Sequence, residues 1–119
     1  MSQLLANVLT APLDPENYIS LDDGRRVPTG AHFVTEFAGA MVGVWGADPG
    51  RIGGETTDEI FVVLEGRAEI TFEDTRETIL VGPGDIVRLF GGQRNSWRTI
   101  DQLRKVSFYV PMAKKTEPA

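Results

Sequence analysis

The chain has 119 residues, no cysteine, and 17 acidic against 12 Lys and Arg side chains, for a formal charge of −5. That length suits a single domain burying roughly two-thirds of its unfolded surface without a disulfide or metal staple. The missing cysteines exclude thiolate chemistry and fit a reducing, cytoplasmic setting, and the acidic balance argues against a nucleic-acid binder, which carries a basic face.

No apolar run approaches the ~18 residues of a membrane-spanning helix, and Met1 to Thr10 lacks the basic start of a secretory signal. Leu4, Leu5, Val8 and Leu9 have helical spacing but form too short a stretch to be stable alone. Residues 1–17 are therefore expected as an N-terminal arm packed on the body or on a second subunit, with Pro12 and Pro15 breaking regular structure around Leu13-Asp14. Tyr18 to Leu21 reads as a short strand, Asp22-Asp23-Gly24 as its turn, and the stretch through Pro28 and Gly30 as a loop. His32 to Phe37 alternates as a strand whose apolar face is Phe33 and Phe37. Gly39 interrupts it, Met41 to Trp45 is the next strand, and Asp48-Pro49-Gly50 is a turn.

Arg51 to Thr57 is polar and contains Gly53-Gly54. Glu59 to Leu64 is apolar on both faces, so both sides of that strand must be covered. Ala68, Ile70 and Phe72 alternate with Glu69, Thr71 and Glu73, the period-two pattern of a half-exposed strand. Strands follow at Thr78–Val81, Ile86–Phe90, Ser96–Ile100 and Arg104–Val110, with 111–119 as a loose tail. Thirteen glycines and seven prolines supply the turns. The prediction is an all-β fold of about 9–11 short strands with little helix, one domain over 1–119.

Glu59-x6-Gly66, then Gly84-Asp85, Phe90, Gly92 and Asn95, resembles the two motifs of the cupin superfamily, G-x5-H-x-H-x3,4-E-x6-G and G-x5-P-x-G-x2-H-x3-N. With Gly43-Val44-Trp45, Pro49-Gly50, Gly82-Pro83-Gly84-Asp85, Trp97 and Arg104-Lys105, the chain is similar to the (S)-ureidoglycine aminohydrolase-type cupins, largely small proteins of unknown function. The resemblance covers about residues 40–110. It implies an RmlC-like double-stranded β-helix, or jelly-roll barrel, with the site inside. The H-x-H positions fall on Gly53 and Glu55, or on Ile52 and Gly54 with the longer gap. The proline position is Phe90, the second-motif histidine is Asn95, and the last asparagine is Thr99. Of the four metal-ligand positions only Glu59 keeps its ligand, so no metal and no other cofactor is expected; a hard cation on Glu55 and Glu59 would be held weakly.

The candidate pocket residues are Glu55, Glu59, Phe61, Arg88, Asn95 and Trp97. Glu59, inward by the resemblance, is either an acid/base with a burial-shifted pKa or a hydrogen-bonded structural carboxylate. Asn95 could orient a ligand or satisfy backbone. Phe61 shares parity with Glu59 and Trp97 with Asn95, so these rings stack on a ligand or pack the barrel. Arg88 binds a carboxylate if it points inward and is solvated if outward. His32, the only histidine, reads as a core or surface residue, and Arg104-Lys105 has no role derivable from sequence. If Glu59 faces in, Ile60, Val62 and Leu64 face out and need a partner, which the resemblance makes a homodimer. The leading reading is a metal-free, small-molecule-binding cupin. The alternatives are an enzyme similar to (S)-ureidoglycine aminohydrolase, acting on a small polar nitrogenous compound with Glu59 as acid/base, and a non-catalytic regulatory or subunit-interaction cupin.

Overall fold

The computed structural model describes residues 3–111. Ten strands and no helix are found among them: β1 (Asp14–Ile19), β2 (Arg26–Phe37), β3 (Ala40–Ala47), β4 (Gly50–Glu55), β5 (Asp58–Glu65), β6 (Ala68–Phe72), β7 (Thr78–Val81), β8 (Ile86–Leu89), β9 (Arg94–Thr99) and β10 (Leu103–Val110). They form a six-stranded sheet, β1-β2-β3-β10-β5-β8, facing a four-stranded sheet, β4-β9-β6-β7. Every pairing is antiparallel. This is the jelly-roll architecture expected from the sequence.

The core lies between the two sheets. Phe61, Val63, Ile70, Leu89 and Leu103 are fully buried, each projecting inward from a strand that alternates faces. The alternation read in Ala68, Ile70 and Phe72 holds, since all three are buried while Glu69 and Thr71 are only partly covered. At about 25 cal/mol per Å² of apolar surface removed from water, this inter-sheet layer is the main stabilising term.

Gly66 illustrates why the first motif ends in glycine. It has a φ of 81°, and a Cβ there would lie 2.2 Å from the carbonyl oxygen of Gln102. Only glycine tolerates both the left-handed backbone and that approach. The β2–β3 connection is a tight turn in which Ala38 and Gly39 both have positive φ, the handedness that matches the twist of a hairpin.

The structure corrects several local expectations. Pro15 does not break the chain: β1 starts at Asp14, and its place at the sheet edge is where a missing ladder donor is tolerated. Pro28 and Gly30 lie inside β2, opposite Asn17 and Pro15, rather than in a loop. The polar stretch Arg51 to Glu55 is strand β4, stabilised by its register with β9 rather than by apolar content. Phe33 and Phe37 are exposed, because the β2–β3 register shifts between Phe33 and Thr35 and the strand end runs past the core. The arm from Leu4 to Leu9 is not helical, and its leucines are exposed. The arm is instead tied down by Arg104, whose Nε donates to the carbonyl of Val8 at 2.7 Å and whose other guanidinium nitrogen donates to that of Ala11. The tail expectation falls almost wholly on residues 112–119, outside the described residues.

Candidate functional site

Beside the core, a cavity of about 420 Å³ opens, sharing Ile52, Leu89 and Trp97 with it. Its wall is built from both sheets. Strand β5 contributes Glu59, β9 contributes Asn95 and Trp97, and β10 contributes Lys105, Ser107 and Tyr109. The neighbouring strands add Tyr18, His32 and Trp45.

The chemistry concentrates on Glu59. Its Oε2 accepts from the Lys105 ammonium at 2.6 Å and from the Ser107 hydroxyl at 3.2 Å. Both partners of the ion pair are nearly enclosed, with side-chain exposures of 8% for Lys105 and 14% for Glu59. The Lys105 ammonium also lies over three rings, 4.3 Å from the centroid of Phe61, 4.9 Å from Trp97 and 5.2 Å from Trp45. Burial pushes the Lys105 amine below the ordinary lysine value, while the Glu59 charge and its hydrogen bond partly oppose that shift. Aromatic faces stabilise the charged form by roughly 0.5–2 kcal/mol each. At the cavity wall, the Tyr18 hydroxyl is pushed up by burial first and by the charges of Glu16 and Glu59 second.

Asn95 is oriented by its neighbour. The Trp97 indole N–H donates to Asn95 Oδ1 at 3.0 Å, which fixes the amide so that its Nδ2 is the free end. That nitrogen is buried and has no partner among the described residues. An unpaired buried donor costs roughly 1–3 kcal/mol. A ligand acceptor would remove that cost. Trp97 in turn packs on Phe61 at 5.3 Å and edge-on against Trp45 at 5.9 Å.

Among the residues expected at the site, Glu59, Asn95 and Trp97 do line the cavity, and Glu55 lines it while remaining exposed. Phe61 points inward but is fully buried behind Trp97 and Lys105. Arg88 is the correction. It sits opposite Ile60 on the outer face of the sheet, donates to Asp58 at 3.2 Å and covers the ring of Phe90. Strand parity decides this: Glu59 faces in, so its neighbour Ile60 and the residue paired with Ile60 face out. That salt bridge and the Gly91 N–H, the larger effect, hold the exposed Asp58 carboxyl below its usual range.

Sequence reasoning singled out Lys105 without a role and missed Ser107 and Tyr109. From Lys105 to Val110 on β10 the apolar residues Val106, Phe108 and Val110 occupy the outer parity, while Lys105, Ser107 and Tyr109 occupy the inner one, the inverse of the usual pattern. The signal available was the pairing of β10 with β5, which sets Lys105 opposite Val63 and Ser107 opposite Phe61.

The cupin motifs imply a metal, and the donor set here does not fit one. Gly54 and Ile52 pair with Asn95 and Trp97, so they hold the inward positions of the missing histidines and offer no ligand atom. A Cβ at Gly54 would meet nothing within 4 Å, so the space of an imidazole is left open to the cavity. Glu59 is bonded to an ammonium and Asn95 Oδ1 to an indole. Among the described residues no group of three or more His, Cys, Asp or Glu side chains converges as a metal site.

The sequence profile of the EutQ-like cupin domain matches residues 35–106. Solved structures give the same fold. Ethanolamine utilization protein Q (EutQ), as assigned in Salmonella typhimurium LT2, is 18% identical with a TM-score of 0.64, over 87% of this chain and 100% of that one. A protein of unknown function from Rhizobium leguminosarum is 22% identical, TM-score 0.63, over 70% and 81%. A DUF861 family protein from Pseudomonas syringae is 21% identical, TM-score 0.69, over 82% of this chain and 44% of that one. No curated protein matches significantly.

Proposed function

The chain belongs to the EutQ-like cupin domain family, and on that premise we propose that it binds a small polar molecule in the barrel cavity without a metal. The observation that carries this is the unpaired, buried Nδ2 of Asn95 beside the Glu59–Lys105–Ser107 cluster. A barrel end that served only as core would be packed with apolar side chains. Here about 420 Å³ is left open and walled by oriented donors and a carboxylate, the usual makeup of a small-molecule site. The ligand presents an acceptor to Asn95 and a flat or apolar face to Trp97 and Trp45.

Native mass spectrometry and elemental analysis of untagged protein test this. A co-purified organic ligand and no stoichiometric metal are expected, and a stoichiometric transition metal overturns the reading. Asn95→Leu should weaken ligand binding on the order of tenfold, the cost of one unmade hydrogen bond.

An enzymatic reading, akin to the (S)-ureidoglycine aminohydrolase-type cupins, is favoured by one observation: the Glu59 carboxylate has an ammonium at 2.6 Å with which to exchange a proton. Glu59→Gln separates the cases. Lost turnover with retained binding supports catalysis, lost binding supports a ligand pocket alone, and no change in either supports a non-catalytic module.

We also propose that the chain pairs with a second copy through the outer face of β5, β8 and β10. Ile60 lies across from Phe108, and Val62 lies between Val106 and Ile86; Ile60, Phe108 and Ile86 are exposed. Val62→Asp should give monomers or aggregates by light scattering. A soluble dimer in that variant refutes the interface.

A further inference from the structure

We propose that Lys105 is a nucleophile that forms an imine with a small aldehyde or ketone held in the barrel cavity. This rests on the small-molecule reading of the same cavity and names the ligand's chemistry.

The argument begins with residue type. Every Lys or Arg among the described residues is arginine except Lys105, which is buried in the cavity wall. Arginine is the better partner for a permanent buried ion pair, because its fork binds a carboxylate in two places and never loses its charge. Lysine at this position gains the capacity to shed a proton and attack. Its surroundings limit hydration: the side chain is only 8% exposed, and desolvation is one way that sites activate a lysine. Burial does lower the basicity of this amine.

The proton path is also present. Glu59 Oε2, 2.6 Å from Nζ, takes a proton from the ammonium, and the free amine pair attacks the carbonyl carbon. The C–N bond forms while the carbonyl π pair moves onto oxygen. That oxygen receives a proton from the new C–N nitrogen, giving a neutral carbinolamine. Protonated Glu59 then returns its proton to the carbinolamine hydroxyl, the C–O bond breaks, and water leaves a protonated imine. Ammonium plus carbonyl becomes iminium plus water, with charge conserved and no oxidant or reductant required. Ser107, 3.2 Å from the same Oε2, holds the carboxylate through both transfers. Asn95 Nδ2 is the free donor in the same wall, able to polarise the carbonyl oxygen. Gly54 leaves room for the carbonyl compound.

The test uses the chain's own controls. It has three lysines, Lys105, Lys114 and Lys115. The full protein is incubated separately with propanal and with pyruvate, each with sodium cyanoborohydride, and reduced adducts are mapped by peptide mass spectrometry. Lys105 should be modified about tenfold or more faster than Lys114 or Lys115. The arm that reacts faster tells a simple aldehyde from a 2-oxo acid. In Glu59→Gln the maximal rate at Lys105 should fall on the order of a hundredfold, and its pH optimum should move to lower pH, because the charge that supports the ammonium is gone. The wild-type map decides alone if that variant does not fold. Modification of Lys114 and Lys115 at rates equal to or above Lys105, with both probes, overturns the proposal. Where native mass spectrometry still finds a non-covalent ligand, that result overturns the imine and leaves the cavity's binding role standing; where it finds none, both readings fall.

Discussion

Two ion pairs of nearly equal length sit in opposite settings. Lys105 and Glu59 meet at 2.6 Å inside the six-stranded sheet's concave face, and Arg98 and Glu69 meet at 2.8 Å across β9 and β6 on the outside of the four-stranded sheet. The outer pair is hydrated on both partners and screened by salt, and such pairs contribute little. The inner pair has lost most of its water, so each charge depends on the other and on its few hydrogen bonds. Distance alone does not separate the two pairs. Burial does.

The largest effect in breaking the contrast should come from Lys105→Met. It strands the Glu59 carboxylate beside aromatic rings and should destabilise the protein by about 3–5 kcal/mol in denaturant titrations. Adding Glu59→Gln to that variant should recover much of the loss, since no buried charge is then left unpaired. An unrecovered double variant would show that the lysine matters for packing rather than for charge. Next in size is Arg104→Ala, which removes the two hydrogen bonds holding Val8 and Ala11. A loss of about 1–3 kcal/mol and faster amide exchange confined to the arm are expected. Smallest is Arg98→Ala, whose denaturation midpoint should match wild type within error at physiological salt.

Titration sharpens the same contrast. The folded Lys105 amine ionises below the ~10.4 of a free lysine, so between those two values the unfolded chain binds more protons. Its contribution therefore makes stability rise with pH in that window and stay flat below it. Glu59→Gln removes the group that opposes the shift, and the window should extend to lower pH in pH-dependent unfolding curves. The exposed Asp58, also lowered, gives a slope of the same sign in the acid range. Its lowered carboxyl contributes stability above the unfolded value of about 3.9 that is lost as pH falls through the folded value, and Asp58→Asn should flatten the acid limb.

Much of the barrel was legible in the sequence because strands declare themselves through period two. Ala68, Ile70 and Phe72 fixed one inner face, and Glu59, Asn95 and Trp97 were reachable by parity from the motifs. Polar β4 was not legible. Its Gly53-Gly54 carries no hydrophobic signal, and its strand state comes from pairing with β9 across a long separation in sequence. Arg88 was misread and Lys105 was left without a role for a related reason. Arg88 is a lone cation in an apolar strand and Lys105 follows Arg104 in a mixed one, and sequence does not say which face each cation takes.

By itself, the sequence determined the all-β class, the glycine turns that close the barrel, and the loss of the imidazoles at the motif positions. Those properties are local: a φ that only glycine adopts, an alternation, a ligand atom that a residue type lacks. The tertiary structure decided that an ammonium is bonded to Glu59, that Asn95 holds an unpaired donor, and that Val106, Phe108 and Val110 of β10 face outward. Each of these depends on strand register, in which a shift of one residue turns a side chain from cavity to solvent.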